Sequence, residues 1–150
     1  MAAPQKKPIP DIICRRFNLP DMSEMGLWLF KRLESRYPTA PDSTFNGWLR
    51  GAMESNEYHF VRTDNAVGLA QVYRLPLDPQ AHLTEVFVLV KDQDALPEGA
   101  EIYRAFKRWG ESMGADEIIV ERQTDVPREM IREALGKVWV RETFFCKMGK

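Results

Sequence analysis

The sequence predicts a mixed α/β sheet with helices on both faces. Three observations carry that prediction. The hydrophobic period alternates between 3.6 and 2 along the chain, giving the order β-α-α-β-β-β-α-β-α-β. A polar turn, Thr63-Asp64-Asn65-Ala66, separates two strand-like runs, which signals an antiparallel hairpin in the middle of the chain. The closing β-α-β-α-β order then requires right-handed crossovers and some parallel pairing.

Each element follows from its own pattern. Met1–Pro10 holds three prolines and two lysines and almost nothing apolar, so it reads as an extended arm ahead of a single domain over residues 11–150. Ile12–Phe17 is a first strand, ended by Pro20. Asp21 reads as a helix N-cap, with Glu24 three residues on completing a capping box. Met25, Trp28, Leu29 and Leu33 follow at helical spacing until Pro38. A second helix starts at Asp42-Ser43 and carries the stripe Phe45, Trp48, Leu49, Ala52 and Met53. Tyr58–Arg62 and Val67–Arg74 form the hairpin. Leu83–Val90 is β-branched and apolar on both faces, the pattern of a central strand.

Gly99 precedes a helix whose inner face is Ile102, Ala105, Phe106, Trp109 and Met113, with Gly114 just past its end. Glu117–Arg122 is a short strand. Asp125 reads as the cap of a last helix with Pro127 in its first turn and Met130, Ile131, Ala134 and Leu135 inside. Gly136 ends that helix, and Val138–Met148 is the final strand.

Composition narrows the function classes. The 150 residues are 44% hydrophobic and 29% charged, an ordinary globular balance for one domain. Twenty-one Lys+Arg against 22 Asp+Glu leaves no basic surplus to displace counterions from nucleic acid, so no nucleic-acid partner is expected. No apolar run approaches the roughly 20 residues that cross a bilayer. No apolar segment follows the basic pair Lys6-Lys7, so a cytoplasmic protein without a secretory signal is expected. Cys14 and Cys146 are too few for a disulfide framework, and they read as small buried hydrophobes. His59 and His82 lie on separate strands without ligand spacing, so no metal site is expected. The four tryptophans read as core, and the Arg15-Arg16 and Lys31-Arg32 pairs as solvated faces.

Three stretches resemble a known family. Thr84-Glu85-Val86-Phe87-Val88-Leu89-Val90 is similar to a fourth strand that often carries a glutamate at its start. Glu101–Met113 with Gly114-Ala115-Asp116-Glu117-Ile118-Ile119-Val120 is similar to a helix, "G-A" turn and fifth strand. Ile131-Arg132-Glu133-Ala134-Leu135-Gly136-Lys137 is similar to an F-Y-E-K-L-G-F segment. All three belong to the GNAT acyltransferase superfamily, which moves an acyl group from coenzyme A to an amine. The resemblance covers about residues 10 to 148 and rests more on order and spacing than on identity. It implies a GNAT-like sheet of six to seven strands, with acetyl-CoA as cofactor and an amine as acceptor.

Site residues follow from the resemblance. Glu85 would take a proton from the attacking amine, while the Leu89 N–H would polarise the thioester carbonyl beside the Val90 backbone. Gly99 and Ala100 would offer backbone donors to the diphosphate, and Tyr103 would line the cleft. Arg132 stands where the family often has a tyrosine acid. A guanidinium there would steady a thiolate without readily giving up a proton. Each position also has a structural reading: an ion pair for Glu85, a loop-to-helix junction for Gly99 and Ala100, sheet cover for Tyr103.

The family's R/Q-x-x-G-x-G/A loop corresponds here to Leu96-Pro97-Glu98-Gly99-Ala100-Glu101, in which only Gly99 is kept. Asp92, Asp94, Glu98 and Glu101 face a single Lys91 in this stretch. Acidic groups suit an unliganded helix N-terminus and repel a diphosphate. Two functions are therefore in view. One is amine acetylation from acetyl-CoA. The other is a GNAT-fold protein without catalysis that serves assembly through a protein partner or as a homo-oligomer. Small members of this kind encoded by bacteriophages would make it a virion component.

Overall fold

A computed structural model describes residues 12–36, 42–74, 77, 81–120, 124–136 and 139–142. The expected N-terminal arm, the Pro38 stop, the end of the final strand and Cys146 lie outside them. The elements are β1 (Arg15–Arg16), α1 (Asp21–Arg36), α2 (Asp42–Glu54), β2 (Tyr58–Arg62), β3 (Ala66–Arg74), β4 (Ala81–Val90), α3 (Leu96–Ser112), β5 (Ala115–Val120), α4 (Arg128–Leu135) and β6 (Trp139–Glu142). They build one sheet in the order β1-β2-β3-β4-β5-β6, antiparallel as far as β4 and parallel from β4 to β6.

Two cores flank the sheet. Met25, Leu29 and Leu33 of α1, with Leu49 and Ala52 of α2, pack on Phe60, Leu69, Phe87 and Leu89. Ile102, Tyr103 and Phe106 of α3, with Ile131 and Leu135 of α4, pack on Ala70, Leu83, Val88 and Ile118. Each fully buried Leu or Phe here contributes about 1.5–3 kcal/mol through the apolar area it removes from water.

Several element ends differ from the sequence reading, among them the starts of β4 at Ala81 and β5 at Ala115. β1 is only two residues long, since its pairing with β2 is limited to Arg15↔Arg62 and Arg16↔Val61. Asp21 and Glu24 do not form a capping box. Asp21 is the first residue of α1, and its carboxylate takes the Asn18 N–H and the Arg15 and Arg62 guanidiniums, while Glu24 takes Arg62. The buried Arg62 claims both acids because an uncompensated interior cation costs more than a missing cap. α3 starts at Leu96, fed by a 3₁₀ turn over Gln93–Ala95, because Pro97 in a first turn gives up only an N–H that would have no helical partner. α4 is preceded by Pro127 with no side-chain cap, and Asp125 is engaged elsewhere. Gly114 and Gly136 close α3 and α4 with φ of 80° and 62°, a conformation that glycine reaches without a Cβ penalty.

One irregularity positions the site. Ala70 pairs with Glu85 while Leu69 pairs with Phe87, so Val86 is an extra residue in β4. Such a bulge shifts the side-chain alternation by one. Before it, Leu83 and Glu85 point to the α3 face; after it, Val88 and Val90 do, while Phe87 and Leu89 turn to α1 and α2.

Candidate functional site

Glu85 is fully buried, and the Tyr103 hydroxyl donates to its Oε1 at 2.9 Å. Burial, followed by the charge of Glu85, holds the Tyr103 hydroxyl well above its ordinary range, so it stays protonated and acts as donor. Glu85 and Tyr103 therefore meet on the α3 side of the sheet, directly before the bulge.

Glu85 also lies where β4 and β5 change their pairing. The two strands are in parallel register through Thr84↔Ile119, and among the described residues they touch again only at the bridge Val88↔Thr124. The segment Thr124–Val126 runs along the end of β4. The Asp125 N–H donates to the Val88 carbonyl at 3.0 Å, and the Val90 N–H donates to Asp125 Oδ2 at 3.1 Å. Arg32 of α1 bonds the same Oδ2 at 2.9 Å and reaches the Lys91 carbonyl at 3.3 Å. An oxyanion, here the chain's own carboxylate, is thus seated on a backbone N–H and a guanidinium at the open end of the seam.

The backbone directions correct one expectation. Lys91 donates to the Asn65 carbonyl on the β3 side, and Val67 pairs with Leu89. Alternate residues of a strand share an edge, so the Leu89 N–H also faces β3. Val90 presents its N–H towards β5 and Asp125.

Gly99 and Ala100 are equally displaced from their expected role. They sit inside α3, beyond the four N–H groups that a helix start leaves open. Of those four, Ala95 donates to Asp92, Leu96 donates to Gln93, and Pro97 has none, which leaves the Glu98 N–H. The Glu98 carboxylate in turn accepts from the Asn65 backbone and side-chain amides. Gly99 instead permits close packing: a Cβ there would lie 2.6 Å from Val126 Cγ2 and 3.0 Å from Val90 Cγ1. Arg132 is exposed on α4, whereas Glu85 is enclosed.

Among the described residues, no group of three or more His, Cys, Asp or Glu is placed to hold a metal ion. His82 Nδ1 lies 3.3 Å from Glu117 Oε1, and His59 stacks on Trp109 at 5.0 Å and 6°. Sequence reasoning missed Arg32, Thr124 and Asp125. Arg32 read as solvated and Asp125 as a cap, because their partners are 59 and 35 residues or more away.

No protein-family model and no curated protein sequence matches the chain. Solved structures do. Glucosamine-6-phosphate N-acetyltransferase from Arabidopsis thaliana superposes with a TM-score of 0.64 at 15% identity, over 93% of this chain and 97% of that one. A GNAT family acetyltransferase from Staphylococcus aureus gives 0.60 at 11% identity, over 91% and 98%. The aminoglycoside acetyltransferase AAC(6')-Iy, in complex with a CoA-linked bisubstrate analogue, gives 0.57 at 15% identity, over 91% and 98%. These likenesses show the fold of the GNAT acetyltransferases.

Proposed function

We propose that the protein transfers an acetyl group from acetyl-CoA to an amine, through the seam between β4 and β5. The observation that carries this reading is the enclosed Glu85–Tyr103 pair at the β4 bulge, in a fold shared with acetyltransferases. The bound donor would supply an activated acyl thioester. The residues fit it in part. The Val90 N–H and Arg32 already hold an oxyanion, whereas the start of α3 keeps only the Glu98 N–H open and is bordered by Asp92, Asp94 and Glu98.

In this reading Arg32 and the Val90 N–H meet the donor once Asp125 releases them. The same release would free the Thr124–Val126 segment that bridges Val88 beside Glu85. Glu85 then removes the proton from the acceptor nitrogen. Tyr103 holds the Glu85 carboxylate in place, and its protonated hydroxyl would be available to give a proton to the departing thiolate. Neither Leu89 nor Arg132 is assigned a part.

The test is a thiol-release assay with a panel of primary amines. Glu85→Gln, which keeps an acceptor for the Tyr103 hydroxyl, is expected to lower kcat by about tenfold or more. Turnover unchanged in that variant removes Glu85 from the chemistry.

A second reading is favoured by one observation, the Thr124–Val126 segment seated along β4 with Val126 against Gly99. If that segment never yields, the domain is a scaffold of the same fold that binds a partner rather than a donor. Absence of acetyl-CoA binding by both the native chain and Asp125→Ala supports this alternative.

A further inference from the structure

We infer that a second site, remote from the β4–β5 seam, binds a small organic oxyanion. It is a cleft of about 370 Å³ at the β1 edge of the sheet, between β1, β2 and α3. That volume is within the range of small-molecule sites. Val61, Ala105 and the Trp109 ring give it apolar walls, and Arg15, Arg16 and Arg108 reach it from two sides. Among the described residues that line it there is no carboxylate.

The three arginines are not equally satisfied. Arg15 is neutralised by Asp21, with bonds of 2.6 and 2.9 Å. Among the described residues Arg16 bonds only carbonyl oxygens, those of Met53 and Ser55. Arg108 stands 3.7 Å from Glu101, whose carboxylate is held more closely by Arg104 at 2.9 Å. Arg16 therefore borders the cleft with no carboxylate partner among the described residues, and Arg108 shares Glu101 with Arg104. Guanidinium forks match carboxylate and phosphate oxygens in pairs.

His59 adds an independent observation. Its ring lines the cleft and lies flat on Trp109, and its Nδ1 is shielded from solvent with no hydrogen-bond partner among the described residues. A buried polar nitrogen of this kind is costly unless something fills the position. Burial, then the positive charges of Arg16 and Arg108, hold the imidazole down to about 4. Both guanidiniums therefore act on the ring that lines the cleft. A ligand oxygen entering between them would also accept a hydrogen bond from the Nδ1–H of the neutral ring. The site fits an oxyanion carried on a compact apolar body, and β2 and β3 separate it from β4.

The test is calorimetric titration of the full chain with phenyl phosphate and, separately, with benzoate. Millimolar or tighter binding of at least one probe is expected, with a loss of about tenfold in Arg108→Gln, whose side chain is largely exposed. Binding of only one probe assigns the head group, phosphate or carboxylate. An excess of coenzyme A should leave the binding unchanged. The inference is overturned if neither probe binds at about 10 mM, if Arg108→Gln binds as the native chain does, or if coenzyme A competes. The last result would place the cleft within the donor site, whereas failure of acetyl-CoA itself to bind would leave this cleft untouched.

Discussion

The Val90 N–H donates to Asp125 Oδ2 at 3.1 Å, and that one oxygen also accepts from Arg32 at 2.9 Å. Three parts of the chain meet there: the end of β4, the segment before α4, and α1 from the opposite face of the sheet. A backbone N–H at the end of a parallel-facing strand would otherwise be open to a ligand. The protein fills it with its own carboxylate, and donor entry becomes a competition between Asp125 and the incoming anion.

That competition separates two variants of one ion pair. Asp125→Ala leaves the Val90 N–H without its acceptor and is expected to cost about 1–3 kcal/mol of stability. It should nonetheless tighten acetyl-CoA binding, by about tenfold for each 1.4 kcal/mol of clamp that no longer has to be broken. Arg32→Gln also lowers the melting temperature but should weaken binding. Calorimetry on the two variants reads the sign, and the same direction for both contradicts the exchange.

Gly99 gives a test by packing. A methyl group there would come within 2.6 Å of Val126 Cγ2 and 3.0 Å of Val90 Cγ1. Gly99→Ala should therefore cost about 1–3 kcal/mol, the usual penalty for overfilling a packed interior. Chemical denaturation measures it. No loss of stability would mean that Val126 does not sit against α3 in solution.

The Tyr103–Glu85 hydrogen bond gives a second stability test. Tyr103→Phe removes the hydroxyl that donates to an enclosed carboxylate. The expected loss is about 1–3 kcal/mol, since a buried acceptor loses a partner while the ring packing is kept. Tyr103→Phe should also slow any acyl transfer along with Glu85→Gln. Native stability in this variant would show that the bond contributes little.

Acid should unfold the protein in two successive stretches. His59 is held down to about 4 against an ordinary 6.5, chiefly by burial. Between those values the unfolded chain binds a proton that the folded chain refuses, so stability falls as pH drops from about 6.5 to 4. Asp21 is held down to about 2 against an ordinary 3.8, first by the Arg15 hydrogen bond. Its contribution is present above 3.8 and is lost as pH falls towards 2. Melting temperature followed against pH should show both declines. His59→Phe, which keeps a flat ring against Trp109, should remove the upper decline and leave the lower one.

Much of the fold was legible because its signals are local. The Thr63–Ala66 turn marked the β2–β3 hairpin, and glycines at 114 and 136 marked helix ends that adopt positive φ. The candidate base Glu85 was legible from its place in an otherwise apolar strand. What was not legible depends on tertiary partners. Asp125 reads as a cap beside Pro127, and only the folded chain brings Val90 and Arg32 to it. Asp21 and Glu24 have capping-box spacing, but Arg62, about 40 residues on, takes both. Pro97 reads as part of a loop, although in a first helical turn it fits without strain. Arg15 and Arg16 read as a solvated pair, and the cleft they border exists only once α3 packs beside β2.

Titrating the full-length chain with acetyl-CoA in a calorimeter, first the native protein and then Asp125→Ala, tests the central proposal most directly. Saturable one-to-one binding is expected in both, in the range of about 1–100 μM for the native chain and tighter in the variant. No heat from either protein at about 1 mM donor would contradict acetyl transfer and leave a scaffold of the same fold.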